Sequence, residues 1–386
     1  MNILFFQYGD FGEAYRRLQA GGLETYRDQR VSVDFVASLR SQYKVTTIAV
    51  CHREHSEILE HNLRSIGIYE HSAYRREFLI QALSDVGPDM IVCRTPNYHA
   101  IQWANQQNTP TLLTFADFFS NRSPRLFLRN MALRALLDSR VFPCIANHNL
   151  DASLSVSRAL FYPKSRVVPW DWTRLATTEF AKTVPADQKR PSAFFAGALT
   201  TDKGVGDCLQ ATALLQKRGI NLNFVFAGRG DTKMWQAHAA ELGISSQVQF
   251  LGLVSNANVR QRMVESDIIV VPSRRTYPEG LPNVIYEGLA SRTPLVVSNH
   301  PAFARRMQDG ENCLIFRAAD AWSLADRITA LIRDTTLFAH LSAQSAEAHN
   351  SLYFGMEWKN LVSTFLDDPR NRTSWVKVNS LARLLG

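Results

Sequence analysis

Asp267-Ile-Ile-Val-Val-Pro-Ser273 leads through Arg-Arg-Thr-Tyr into Pro278-Glu-Gly-Leu-Pro-Asn-Val-Ile-Tyr-Glu-Gly-Leu-Ala-Ser291. The apolar run reads as a buried parallel strand, and the glycine- and proline-bearing stretch after it as a loop that opens a helix. Pro282 suits the first helical turn, having no N–H to leave unpaired. Gly280, Leu281 and Asn283 would then offer backbone N–H groups to an anion. Glu279 falls in the loop and Glu287 in the helix, among Val284, Ile285, Tyr286 and Leu289. A carboxylate on so apolar a face has to accept hydrogen bonds, and a ribose diol supplies two donors side by side. Two solvated glutamates on a surface helix are the alternative. Gly288, Ala290 and Ser291 are small enough to let another backbone come close.

A chain of 386 residues exceeds the size at which a single core keeps growing, so two domains are expected. With 46% hydrophobic and 20% charged residues it is a folded globular chain. No stretch approaches the ~20 apolar residues of a membrane span, and Met1-Asn-Ile-Leu-Phe-Phe lacks a signal's basic flank, so the expectation is a cytoplasmic protein. Cysteines 51, 93, 144, 208 and 313 show no paired spacing and read as reduced core thiols. The net charge of +8 fits an anionic nucleotide, an anionic membrane surface or nucleic acid. Nucleic acid ranks last, because no helix-turn-helix or aromatic-basic platform is present.

Towards the N-terminus, residues 2 to 7 read as the first strand, and Gly9, Gly12, Gly21 and Gly22 follow it as a glycine-rich turn. Val31, Phe35, Val36 and Leu39 recur at helical spacing, 44 to 50, 89 to 93, 111 to 115 and 141 to 146 read as further strands, and 167 to 172 closes the first domain. His52 and His55 read as a solvated loop rather than a metal pair. Residues 122 to 140 carry five arginines against one aspartate among apolar residues. They form either a basic amphipathic helix for anionic lipid or a phosphate-bearing acceptor, or an ordinary helix packed on the sheet with its arginines outward.

Alternating strands and helices make residues 1–172 one doubly wound domain, 173–191 a linker and 192–350 a second domain. Residues 351–386 are a helical segment with Trp358, Phe365 and Trp375 as anchors. In the second domain the strand readings are 193–197, 223–228, 248–254, 294–298 and 313–316, with helices near 205, 257–265, from Ala302 and over 320–333.

Glu279-x7-Glu287 in this setting resembles the signature of the retaining glycosyltransferases of family four, over about residues 190 to 335. The resemblance implies the GT-B fold: two Rossmann-like doubly wound α/β domains facing across a cleft, the first for the acceptor, the second for a nucleotide sugar, with the last segment crossing back to the first. It also implies transfer of a sugar from a nucleotide-diphosphate donor to a hydroxyl acceptor with retention of configuration, the leaving phosphate taking the acceptor's proton. Glu279 would hold sugar hydroxyls and Glu287 the ribose. Gly197, Lys203, Arg229 and the turn Gly280-Leu281-Pro282-Asn283 would hold the rest of the donor, together with Gly22 in Gly21-Gly22-Leu-Glu24.

Two positions depart from the pattern: Ala116 precedes Asp117 where the family carries His-Asp, and Ala198 stands where it carries an Arg. Asp117 is the remaining polar candidate there, or else a helix N-cap. Arg229, Arg274 and Arg275 are candidates to replace the missing cation. No Asp-x-Asp is present, so no metal and no further cofactor is expected. The acceptor is a saccharide, a lipid-linked saccharide or a small molecule, with peripheral membrane contact through 122–140 as one arrangement. A non-catalytic binding or scaffold protein of the same fold is the competing reading.

Overall fold

The computed structural model describes residues 1–277 and 280–386. Its contacts divide into two compact units. The first comprises residues 1–23, 28–173 and 354–386; the second comprises 24–27 and 174–353.

The first unit is built on a sheet with nine described strands: β1 (Asn2–Tyr8), β2 (Lys44–Cys51), β3 (His55–Glu60), β4 (Leu63–Tyr69), β5 (Met90–Cys93), β6 (Thr111–Phe115), β7 (Ile145–His148), β8 (Val167–Asp171) and, from the C-terminal segment, β15 (Met356–Glu357). Their order is β15-β8-β7-β6-β5-β1-β2-β4-β3, and every pairing is parallel except β3 with β4. In β1, Ile3 and Phe5 enter one core and Leu4 and Phe6 the other, because successive side chains leave a strand on opposite faces. Trp358, Phe365 and Trp375 pack into the core that holds Ile3 and Phe5.

Sequence and structure differ here in instructive places. The turn read after β1 contains a helix, Phe11–Gln19, capped by Asp10 and burying Phe11, Ala14, Tyr15 and Leu18. The next helix, Gln29–Ser38, buries Ser32, Val33 and Val36 and leaves Val31 exposed. His55 lies in a strand, since β3 and β4 form a hairpin whose edge member alternates exposed with half-buried residues. The strand read at 141 to 146 begins only at Ile145, past Pro143, which has no N–H for a ladder.

The second unit is a parallel sheet with six described strands: β9 (Ser192–Ala196), β10 (Asn223–Ala227), β11 (Val248–Gly252), β12 (Ile268–Val271), β13 (Leu295–Ser298) and β14 (Leu314–Phe316), in the order β11-β10-β9-β12-β13-β14. The strand at 267–273 that opened the sequence analysis is central, between β9 and β13. Ile268 and Val270 enter the core formed with the helices Val205–Lys217 and Ala321–Arg333. The opposite face takes the helix Asn283–Ala290. A Cβ on Gly288 would stand 3.1 Å from Ile269 Cδ1 and 3.3 Å from Leu295 Cδ1, so a glycine here lets the helix lie close on β12 and β13.

Residues 301–306 form turns rather than the expected helix from Ala302. The segment read as a linker belongs to the second unit from Arg174 on. There Lys182 Nζ bonds the Thr293 hydroxyl at 2.6 Å and the Ser266 carbonyl. Among the described residues no helix is long and apolar enough to cross a membrane. All five cysteines are free; four are buried and Cys51 is half-buried.

Candidate functional site

At the carboxyl ends of β9 and β10 two glycine turns abut. Gly228 has φ +151°, and a Cβ on it would fall 1.7 Å from the Gly197 carbonyl oxygen, so no side chain fits there. Gly197 N–H donates to the Ala227 carbonyl at 3.0 Å, and Leu199 N–H to that of Arg229 at 2.8 Å, locking the turns together. Beyond them Lys203 is followed by Gly204, in the left-handed region at φ +78°, where a Cβ would meet the Pro272 carbonyl oxygen at 2.4 Å. This turn starts the helix Val205–Lys217 next to the end of β12.

Around these turns lies a cavity of about 380 Å³. Gly197, Ala198, Lys203, Arg229, Pro282, Asn283 and Glu287 all line it, with Thr25, Tyr26, Arg27 and Asn256 among the others. Six of the residues expected to hold the donor are thus brought together: Gly197, Lys203, Arg229, Pro282, Asn283 and Glu287. Ala198 lines the cavity where the family pattern would place a second cation.

Glu287 is buried on the helix Asn283–Ala290, and its Oε1 accepts from Asn256 Nδ2 at 2.5 Å. Pro282 is the residue before this helix, not in its first turn: its φ −74° and ψ 148° are extended, and its carbonyl takes the Ile285 N–H at 3.0 Å. No side chain caps the helix, and the Asn283 and Val284 N–H groups donate to no described residue. Their partial positive charge therefore borders the cavity. Gly280 and Leu281 are buried just ahead of it. Glu279 lies outside the described residues.

The three candidate replacement cations separate. Arg229 is exposed, lines the cavity and has no ion-pair partner among the described residues. Arg274 is committed elsewhere: its Nη2 and Nε bond both oxygens of buried Asp207, at 2.7 and 3.0 Å, which holds the guanidinium above its ordinary pKa. Arg275 is exposed and does not line the cavity. Lys203 Nζ sits 4.6 Å from the centre of the Tyr277 ring.

Sequence reasoning missed Thr25, Tyr26, Arg27 and Asn256. Asn256 N–H donates to the Glu24 carbonyl at 2.8 Å, which fixes the segment 24–27 at the cavity wall. Arg27 is buried, with its guanidinium 4.7 Å from the Tyr286 ring and 5.5 Å from that of Tyr353, and Nη2 donates to the Tyr353 hydroxyl at 3.0 Å. Nothing local in the sequence marks these residues, because their partners lie 31 positions away for the Asn256 side chain and 326 away for Arg27 and Tyr353. Gly22, expected at the donor, closes the turn after Phe11–Gln19: its N–H bonds the Arg17 carbonyl at 2.8 Å, and it does not line the cavity.

In the first unit Asp117 follows β6. Burial pushes its carboxyl up, with Arg129 opposing, and its carbonyl accepts from Asn147 Nδ2 at 2.9 Å. It is not a helix N-cap; Ser123 caps the next helix, Pro124–Leu136, by accepting the Leu126 N–H. Asp10, Cys51 and His55 bring one donor atom each within 4.8 Å of one another, a grouping the loop reading of His52 and His55 did not foresee. Arg53 already supplies a cation there, with Nε 2.7 Å from Asp10.

Residues 177–348 match the family model described as glycosyl transferases group 1. A phosphatidyl-myo-inositol mannosyltransferase of Mycobacterium leprae is 31% identical over 146 residues, which are 38% of this chain and 38% of that protein. The matched stretch thus spans well under half of that relative's length. Sucrose-phosphate synthase from Thermosynechococcus elongatus superposes with a TM-score of 0.66 at 15% identity, covering 96% of this chain and 99% of that one. The Anabaena protein HepE, in complex with UDP-glucose, gives 0.63 at 16% identity, with 97% and 99% covered. This chain therefore has the fold of the GT-B glycosyltransferases, and its second unit carries the sequence pattern of glycosyl transferases group 1.

Proposed function

We propose that the chain is a retaining glycosyltransferase that moves a sugar from a nucleotide-diphosphate donor to a hydroxyl acceptor without a metal. The observation that carries this reading is the cavity of the second unit, which a buried carboxylate, an uncapped helix N-terminus, Lys203 and Arg229 all line. These groups match a nucleoside diphosphate: the diol for Glu287, the diphosphate for Lys203, Arg229 and the Asn283 and Val284 N–H groups. Fixed donors aimed at the departing diphosphate stabilise charge that grows as the glycosidic bond breaks. Glu279, eight positions before Glu287, would hold hydroxyls of the transferred sugar and favour the positive charge that develops on it. Asp117 is proposed as the polar group of the first unit nearest the acceptor chemistry. The family pattern over 177–348 and the UDP-glucose bound by HepE support the donor class.

Peripheral membrane contact through 122–140 is supported by Phe127 and Leu128, exposed beside Arg125 and Arg129, although Leu133 of the same helix is buried. The scaffold alternative rests on Ala198 lining the cavity without a charge.

The test is calorimetric titration with UDP, GDP, ADP and TDP in EDTA, repeated with Glu287→Ala and Lys203→Ala. One nucleotide binding, and losing affinity in both variants, is expected. No binding to a folded protein would remove the donor site, and binding without transfer or donor hydrolysis would favour the scaffold. Retention is read from the anomeric configuration of the product by NMR.

A further inference from the structure

A second cavity lies in the first unit at the loops following β5 and β6, between the helices Tyr98–Gln106 and Pro124–Leu136. It encloses about 170 Å³ and is lined by Pro96, Tyr98, Phe119, Ala132, Leu133 and Arg129. Five of these six side chains are apolar or aromatic. Nothing in the donor chemistry of the second unit uses them. The slot lies beyond the carboxyl ends of parallel strands, where doubly wound sheets place ligands.

The slot offers a sugar ring almost no hydrogen-bond partners, whereas a saccharide site needs several placed polar groups. Its 170 Å³ equals about five or six times the ~30 Å³ that one water takes up in the liquid, enough for a short apolar chain. Arg129 is its one cation, exposed and without an ion-pair partner among the described residues; Asp117 is the acid in its field. Arg125, one turn earlier on the same helix, is also exposed and unpaired among the described residues, and Phe127 and Leu128 beside it are exposed at 40% and 67%. Cations rimming an apolar slot complement a molecule with an apolar body and an anionic head.

The geometry points to an acceptor site for an anionic amphiphile, a hydroxyl-bearing lipid phosphate whose apolar part fills the slot, whose phosphate meets Arg129 and whose hydroxyl is the accepting group. As an acceptor assignment this rests on the glycosyltransferase reading. As a binding site it stands on the slot alone.

The test is calorimetry on the full chain with n-octyl phosphate below its micelle threshold, against ethyl phosphate, octyl glucoside and inorganic phosphate, with UDP titrated in parallel. Each buried methylene is worth about fourfold. Octyl phosphate is therefore expected to bind at least about fiftyfold tighter than ethyl phosphate. Ala132→Trp, which fills the slot from an exposed helical position, should abolish that binding, and Arg129→Gln should weaken it about tenfold, while UDP affinity stays the same in both. Tyr98→Ala, which removes a wall without entering a core, should weaken it as well. No binding of octyl phosphate, or binding indifferent to Ala132→Trp and Tyr98→Ala, overturns the site. Octyl glucoside binding as tightly as octyl phosphate, with no effect of Arg129→Gln, overturns the anionic head. Octyl phosphate binding without any UDP binding leaves the slot standing and removes only the donor reading of the second unit.

Discussion

Asn256 donates its side-chain amide to Glu287 at 2.5 Å and its backbone N–H to Glu24 at 2.8 Å, so one residue orients the buried carboxylate and holds the segment 24–27 beside it. A buried carboxylate that loses such a donor has less of its desolvation cost offset. Asn256→Ala is expected to destabilise the fold by about 1–3 kcal/mol. It should also weaken nucleotide binding, because Glu287 loses its fixed direction. Urea unfolding and UDP calorimetry on the one variant check both. Unchanged stability would show that water replaces the amide.

Arg27 stacks on Tyr286 and Tyr353 and bonds the Tyr353 hydroxyl, which also takes the Leu175 N–H at 2.8 Å. Arg27→Ala should cost about 2–3 kcal/mol from lost stacking and hydrogen bonding. Arg27→Lys should recover less than half of it, since an ammonium cannot cover two rings as a planar guanidinium does. Thermal unfolding of the two variants ranks them.

Gly228 and Gly219 both have positive φ, but a Cβ on Gly228 meets a carbonyl oxygen at 1.7 Å while one on Gly219 meets nothing within 4 Å. Gly219→Ala should cost only the conformational strain, about 1 kcal/mol, whereas Gly228→Ala should cost more than about 3 kcal/mol and disrupt the cavity of the second unit. Equal losses in denaturant midpoint would refute the close approach of the two turns.

Lys203 and Arg229 line the cavity from different turns. Replacing either by Ala should weaken UDP about tenfold and lower the salt dependence of binding, with uridine affinity unaltered. Arg274→Ala should instead destabilise the protein, because buried Asp207 loses its bidentate partner.

Burial depresses the Lys182 pKa to about 8, against 10.5 for the free side chain. Below pH 8 the folded state carries a charge it would rather lose. Between pH 8 and 10.5 the unfolded chain binds the extra proton, so this group's contribution to stability rises with pH. The unfolding free energy of the wild type should gain on that of Lys182→Met as pH climbs from 7 to 10, measured by urea titration at each pH. A constant difference would exclude the shift.

The second sheet was the more legible in the sequence, because strands buried on both faces read as continuous apolar runs, as at 268–271 and 295–298. The β3–β4 hairpin was not legible: Glu57, Glu60 and His55 on an edge strand look like a loop until β4 pairs with them. The helix Phe11–Gln19 was hidden by glycines at 9, 12, 21 and 22, although Asp10 followed three residues later by Glu13 is a start signal.

The sequence by itself determined the two-sheet α/β architecture, with the strand at 268–271 and the helix at 283–290, because period, turn residues and local order are properties of neighbours along the chain. Only the tertiary structure decided that Asn256 orients Glu287, that Thr25–Arg27 form a cavity wall, that Arg229 and not Arg274 faces the cavity, and that an apolar slot with one guanidinium opens between two helices of the first unit. Each of these joins groups that are far apart in the chain. Which of several similar arginines or asparagines meets a given carboxylate is settled by packing at a distance, and no local pattern records it.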